Sequence, residues 1–157
     1  MEAIFGTKAT LLQAVVDFSI RGDLDPTPMP GRDVVAQMEA ASEACLMLDL
    51  HASHLRSVHG RSARIASVVE HAALSARPVA RLWATMTDNR RYAAAWAAST
   101  LLAKHDAPAG LDRRDVEETF WVAIDWSTYR SLTDQRGLTS DEFEAWLRRY
   151  YARMLGA

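Results

Sequence analysis

Two helix-start signals in the C-terminal third constrain the fold of this chain more than any other feature. Thr139 is followed three residues later by Glu142, with Leu138 and Phe143 flanking the pair. A threonine hydroxyl at such a position accepts from a backbone N–H of the first turn. The glutamate reaches back to the cap's own N–H, and the flanking apolar pair fixes how the chain enters the helix. Asp112 with Asp115, flanked by Leu111 and Val116, is a variant of the same arrangement. The helix after Thr139 carries one apolar stripe of Phe143, Trp146, Leu147, Tyr150, Tyr151, Met154 and Leu155, while Glu144 and Arg148 pair at i,i+4 on its polar face. The helix after Asp112, expected from about Arg113 to Thr133, differs. Phe120, Trp121, Val122, Ala123, Ile124, Trp126, Tyr129 and Leu132 surround most of its circumference, so it needs cover from several sides.

The rest of the chain also reads as helix. Thr7 is placed to cap a helix from about Lys8 to Arg21, in which Leu11, Leu12, Val15, Val16, Ser19 and Ile20 recur at helical spacing. Gly22 stops it. Pro26, Pro28 and Pro30 then keep the chain extended, because they lack N–H donors and bias their predecessors away from helix. From Asp33 to Leu74 the composition favours a short helix and then a long one kinked at Gly60. Pro78 suits the first turn of the next helix, which runs through Val79, Leu82, Trp83 and Met86 toward Leu101 and Leu102. Ala93 to Ala98 permits close helix approach around Trp96, and Asp106 to Gly110 breaks the chain. No strand pattern or repeat occurs, so the expected class is all-α. Residues 1–22 form one unit, 23–32 a Pro-rich linker and 33–157 the main helical domain.

Charge and cysteine content narrow the function. A formal net charge of −2 is not that of a surface built to sit on phosphate. Cys45 is the only cysteine, which rules out an intrachain disulfide and a two-thiolate zinc site, and suits a reducing cytoplasm. No apolar run approaches the roughly 18 residues of a membrane span, and no signal-peptide pattern opens the chain. The expectation is a soluble, cytoplasmic protein without membrane partners.

Enzyme signals are weak. Ser42, Ser53, Ser57 and Ser62 lie near histidines without a strand-to-helix elbow, and phosphate-cradling glycine loops are missing. His51, His54 and His59 share the long helix. His51 and His54, three residues apart, could hold a metal if a third ligand such as Asp125 joined them, but the expected metal and cofactor complement is none. Asp125 stands in an apolar run and needs a partner or a ligand donor, an arginine such as Arg90, Arg91 or Arg130 being the structural option.

Both ends of the chain resemble the TetR family of one-component transcriptional regulators. Phe5, Gly6, Thr7, Lys8, Leu11 and Leu12 match, in order, the end of that family's recognition helix and the opening of its connecting helix. Tyr129, Arg130, Leu132, Arg136, Gly137, Trp146 and Leu147 match the closing helix pair of many members. The resemblance implies an effector-binding and dimerisation domain of a repressor. Residues 1–22 would then be a remnant of the DNA-binding domain, with most of the helix-turn-helix reader absent from this chain. It implies a DNA-phosphate contact for Lys8, with DNA bound only by a version carrying the complete reader. It implies a small apolar or aromatic effector between the long helices, near Met47, His51, His54, Leu55, Trp83, Met86, Trp96, Trp121, Asp125 and Trp126. It also implies a homodimer packed through Phe120, Ile124, Phe143, Trp146, Leu147, Tyr150, Tyr151 and Met154. An alternative is a stand-alone helical ligand-binding or dimerisation module that pairs with full-length regulators.

Overall fold

The computed structural model describes residues 7–156. Phe5 and Gly6, the end of the expected recognition helix, lie outside the described residues. Among those described, regular structure is entirely helical: α1 (Lys8–Arg21), α2 (Asp33–Ala40), α3 (Ala44–Ala73), α4 (Arg77–Leu102), α5 (Arg113–Ala123), α6 (Trp126–Arg130) and α7 (Ser140–Met154). Among the described residues no helix is long and apolar enough to cross a membrane.

The expected punctuation of α1 is in place. Thr7 Oγ1 accepts from Thr10 N–H at 3.1 Å, and Gly22 ends the helix at φ +85° with its N–H on Phe18 O. The position has a second reason to be glycine, because a Cβ there would lie 2.8 Å from the Arg61 guanidinium carbon. Arg61, from α3, donates to the carbonyls of Ser19 and Ile20, both at 3.1 Å, and so satisfies the exposed end of α1. The linker is folded rather than loose. Arg32 makes two hydrogen bonds to the Asp23 carboxylate and donates to the Thr27 and Asp25 carbonyls, and a short 3₁₀ turn covers Met29–Gly31.

The axis of the molecule is α3, against which α1, α2, α4, α6 and α7 all pack. It runs unbroken through Gly60, contrary to the expected kink; the interruption falls instead at Ala41–Glu43. A lone glycine costs a helix on the order of 1 kcal/mol without breaking it, and tertiary packing outweighs that. Lys104 donates to the carbonyls of Met38 and Glu39, and Asp106 accepts from Ala44 N–H, so the turn between α4 and α5 secures both sides of the α2–α3 junction.

The single helix expected over 113–133 is two helices and a π-type turn. Ile124 closes α5 with its N–H on Phe120 O. Asp125 then adopts extended geometry and its carboxylate accepts Ser127 N–H at 2.7 Å, restarting the chain as α6. The break resolves the problem posed by an apolar circumference: α5 packs on α4, while α6 turns Trp126 and Tyr129 onto α3. A π-type turn, Ser131–Gln135, leads into α7. There Thr139 and Glu142 form both halves of the capping box; Asp112 makes only the forward half, accepting from Arg114 and Asp115 N–H.

The stripe on α7 is largely internal. Phe143, Leu147 and Tyr151, with Phe120 of α5, are buried in the chain's own core against α3. This corrects their assignment to a dimer surface: the same periodicity that marks an external stripe also marks a face laid on a neighbouring helix. Ile124, Trp146, Tyr150 and Met154 remain only partly buried. Trp146 and Tyr150 stack at 5.1 Å between ring centroids, 12° from parallel.

Candidate functional site: a cavity between α1, α3 and α4

A cavity of about 430 Å³ lies among α1, α2, α3 and α4, with the linker at its edge. The α3 wall supplies His51, His54, Leu55, Val58 and His59, one face of the helix over two turns. The α4 wall supplies Leu82, Met86, Asn89, Arg90 and Trp96, among others. Gln13, Val16, Asp17, Ile20 and Arg21 of α1 form the third wall, where Gln13 donates to Asp17 at 3.0 Å. Pro28 to Pro30, Val35, Met38 and Glu39 complete that side, with Ile124 and Trp126 at the α5–α6 break. Trp96 Nε1 donates to Glu39 Oε1 at 3.0 Å, linking α4 to α2 beside the cavity.

Six of the ten residues expected around an effector line this space: His51, His54, Leu55, Met86, Trp96 and Trp126. The other four do not. Met47, one helical turn before His51 on α3, is fully buried in the core. Trp83 packs toward Trp126, at 6.1 Å between centroids. Trp121 lies beneath the Arg90 guanidinium, 3.6 Å from its ring centroid. Asp125 takes the structural option: its carboxylate pairs with Arg90 at 2.7 Å while capping α6. The α1 wall, the linker, His59 and Arg90 were not among the expected lining residues. The signal for α1 was available in Gln13, Val16, Asp17 and Ile20, which fall at i, i+3, i+4 and i+7.

Burial disfavours the charged form of the three cavity histidines. Burial pushes His51 down to about 3, aided by neighbouring His54 and His59. Burial likewise takes His54 down to about 4, Arg61 adding to the effect. His59 falls to about 4 through burial, against opposing contributions from the Ala123 carbonyl and Asp125. Their bonding differs. His51 Nδ1 and Tyr151 Oη share a hydrogen bond of 2.7 Å, and the His51 ring meets Phe120 edge-on at 5.0 Å. His59 Nε2 lies 3.3 Å from Ala123 O. Arg90 donates to Trp121 O at 2.9 Å as well as to Asp125, and stays cationic although burial pulls its pKa below the usual guanidinium value.

Among the described residues no group of three or more His, Cys, Asp or Glu side chains is placed to hold a metal ion. Asp125, the third ligand considered for His51 and His54, is committed to Arg90 and the α6 cap. Cys45 is exposed on the first turn of α3. Partial desolvation and the neighbouring Glu43 carboxylate raise its pKa, the reverse of an activated thiolate. Lys8 is exposed in the first turn of α1.

The site is a concave, mainly apolar cavity with a few polar groups, within the roughly 300–1,000 Å³ range of small-molecule pockets. The class defined by fold and site is therefore an all-helical protein with a partly open cavity between its helices. No family model matches the chain, and no match was found among curated proteins or solved structures.

Proposed function

We propose that this chain is the effector-binding and dimerisation part of a TetR-type transcriptional regulator, acting as a repressor whose cavity takes a small apolar or aromatic molecule. The observation that carries the reading is the double use of α1. One face of that helix forms a cavity wall through Gln13, Val16, Asp17 and Ile20. Another face carries Leu11, Val15 and Phe18, which remain 40–49% exposed. A helix that touches a ligand on one side and offers an apolar stripe on another is suited to connect an effector domain to a DNA reader. The resemblance around Thr7 and Lys8 falls on this same helix.

In this reading, ligand binding is coupled to DNA binding only through a difference in ligand affinity between two positions of α1. DNA contact, including that of Lys8, belongs to a version carrying a complete helix-turn-helix. The dimer forms through the partly exposed part of α7, where Trp146, Tyr150 and Met154 are not consumed by the core.

Light scattering of the wild type and of a Trp146→Glu, Tyr150→Glu variant tests the assembly. The expected result is a wild-type dimer and a helical, monomeric variant; a wild-type monomer overturns the dimer. For the regulator, a version with the complete reader is tested for retention of DNA from its own upstream region, with release by bound effector expected. DNA binding that bound effector leaves unchanged would overturn the proposed mechanism.

A further inference from the structure

The charges on the cavity wall do not cancel once each is matched with its partner. Burial disfavours charge on the three lining histidines, which leaves Asp17, Arg21, Glu39 and Arg90 as the charged lining groups. Arg90 is neutralised by Asp125 at 2.7 Å. Asp17 and Arg21, one turn apart on α1, offset each other at 3.9 Å, and the Asp17 carboxylate also accepts from Gln13. Glu39 has no such partner. Among the described residues no Lys, Arg or His nitrogen lies within 4.0 Å of its carboxylate. Lys104 does approach the residue, but it donates to the main-chain carbonyls of Met38 and Glu39. A helix aims its last carbonyls beyond its C-terminus and tilts its side chains toward its N-terminus, so the ammonium and the Glu39 carboxylate lie off opposite ends of the residue.

Glu39 is also accessible. It stands in the last turn of α2, is exposed, and lines the cavity, which places it at the opening. Trp96 Nε1 donates to its Oε1 at 3.0 Å, holding the carboxylate against α4 while Oε2 has no partner among the described residues. Tyr92, one turn before Trp96, lines the cavity too and is 62% exposed. A carboxylate held beside accessible aromatic rings attracts an organic cation through its charge and through the negative faces of the rings. Behind this rim the wall is apolar, with Val16, Leu55, Met86 and Trp126. An anion would meet an uncompensated like charge at the opening, and a neutral guest would gain nothing from it.

We propose that the cavity takes a cationic amphiphile, an apolar aromatic body carrying one protonated amine that pairs with Glu39 at the rim. This rests on the reading of the cavity as a ligand site, and names the ligand's class within it.

The test compares 2-(aminomethyl)naphthalene, 2-naphthalenemethanol and 2-naphthoate, which share one ring system and differ in charge, by calorimetric titration of the full chain. The amine is expected to bind about threefold or more tighter than the alcohol, in keeping with a solvent-exposed ion pair, and the carboxylate more weakly than either. Glu39→Gln keeps an acceptor for Trp96 and removes only the charge, so the amine should lose its advantage while the alcohol still binds. The wild type alone gives a second reading: raising the salt from about 0.02 to about 0.5 M should close the gap between amine and alcohol. Equal binding of amine and alcohol, an advantage indifferent to salt, or one retained in Glu39→Gln overturns the cationic assignment while leaving the cavity as a ligand site. Binding of none of the three overturns the aromatic-ligand reading together with it.

Discussion

Lowering the pH from 7.5 to 5 should strip most of the stability from this protein, and the three cavity histidines supply the magnitude. In the unfolded chain each titrates near 6.5, whereas in the fold His51 is held at about 3 and His54 and His59 at about 4. A histidine with a depressed folded pKa stays neutral while the unfolded chain takes up a proton. The unfolded state therefore binds more protons, and stability falls as pH falls. The loss begins near pH 6.5 and continues until the folded histidines themselves protonate near 4. With three extra protons on the unfolded chain, the limiting slope is on the order of 4 kcal/mol per pH unit. At pH 5 each histidine has cost about 2 kcal/mol, so the total is about 6 kcal/mol, comparable to the whole stability of many domains. Hydrogen bonds lower the pKa values of Asp23, Asp25 and Glu142, and any stability this lends is lost only as pH falls through the unfolded carboxylate values of about 4, below this window. Urea denaturation followed by circular dichroism at pH 7.5, 6.5, 5.5 and 5.0 measures the slope. Replacing His59 by leucine should remove about one third of it. Stability that changes by less than about 1 kcal/mol between pH 7.5 and 5 would refute the reasoning.

Other perturbations separate individual interactions. Tyr151→Phe leaves His51 Nδ1 without its partner and should cost about 1–3 kcal/mol, whereas the His51→Leu, Tyr151→Phe double variant should cost less than the sum of the singles; additive costs in a denaturation cycle would show that the pair is not coupled. Gly22→Ala combines φ +85° with a Cβ pressed on Arg61, so a loss of about 1–2 kcal/mol is expected in thermal melts, and an unchanged melting temperature would contradict the account. Asp125→Ala removes both the α6 cap and the partner of Arg90, whose side chain is 10% exposed, while Asp125→Asn keeps a capping oxygen. The alanine variant should therefore be less stable by about 1 kcal/mol, and equal urea midpoints would deny the cap its role.

Helix starts were legible because capping is local chemistry: Thr7, Asp112 and Thr139 each accept backbone N–H bonds as their positions in sequence imply. Partner choice was not legible. Periodicity placed Phe143, Leu147 and Tyr151 on one face of α7 but could not tell whether α3 or a second molecule would cover it. The division at Ile124 and Asp125 was hidden because apolar residues all round a helix erase the phase that would mark a break. Only parts of the α3 and α4 walls were legible, as helical faces bearing His51, Leu55 and Met86. The α1 wall was overlooked because Gln13 and Asp17 are polar residues that a search for apolar lining passes by.

The anchorage of α1 has a mechanical consequence. Arg61 clamps the C-terminal carbonyls of Ser19 and Ile20, whereas Thr7 and Lys8 at the other end are exposed. A rigid rod fixed at one end is a lever, and with a rise of 1.5 Å per residue Lys8 stands about 18 Å from the fulcrum at Ile20. Val16 lies only about 6 Å from it, so a displacement imposed there is multiplied about threefold at Lys8, and one imposed at Gln13 less than twofold. If the cavity holds the proposed effector, a guest that presses beside Val16 gains more leverage on Lys8 than one that presses beside Gln13.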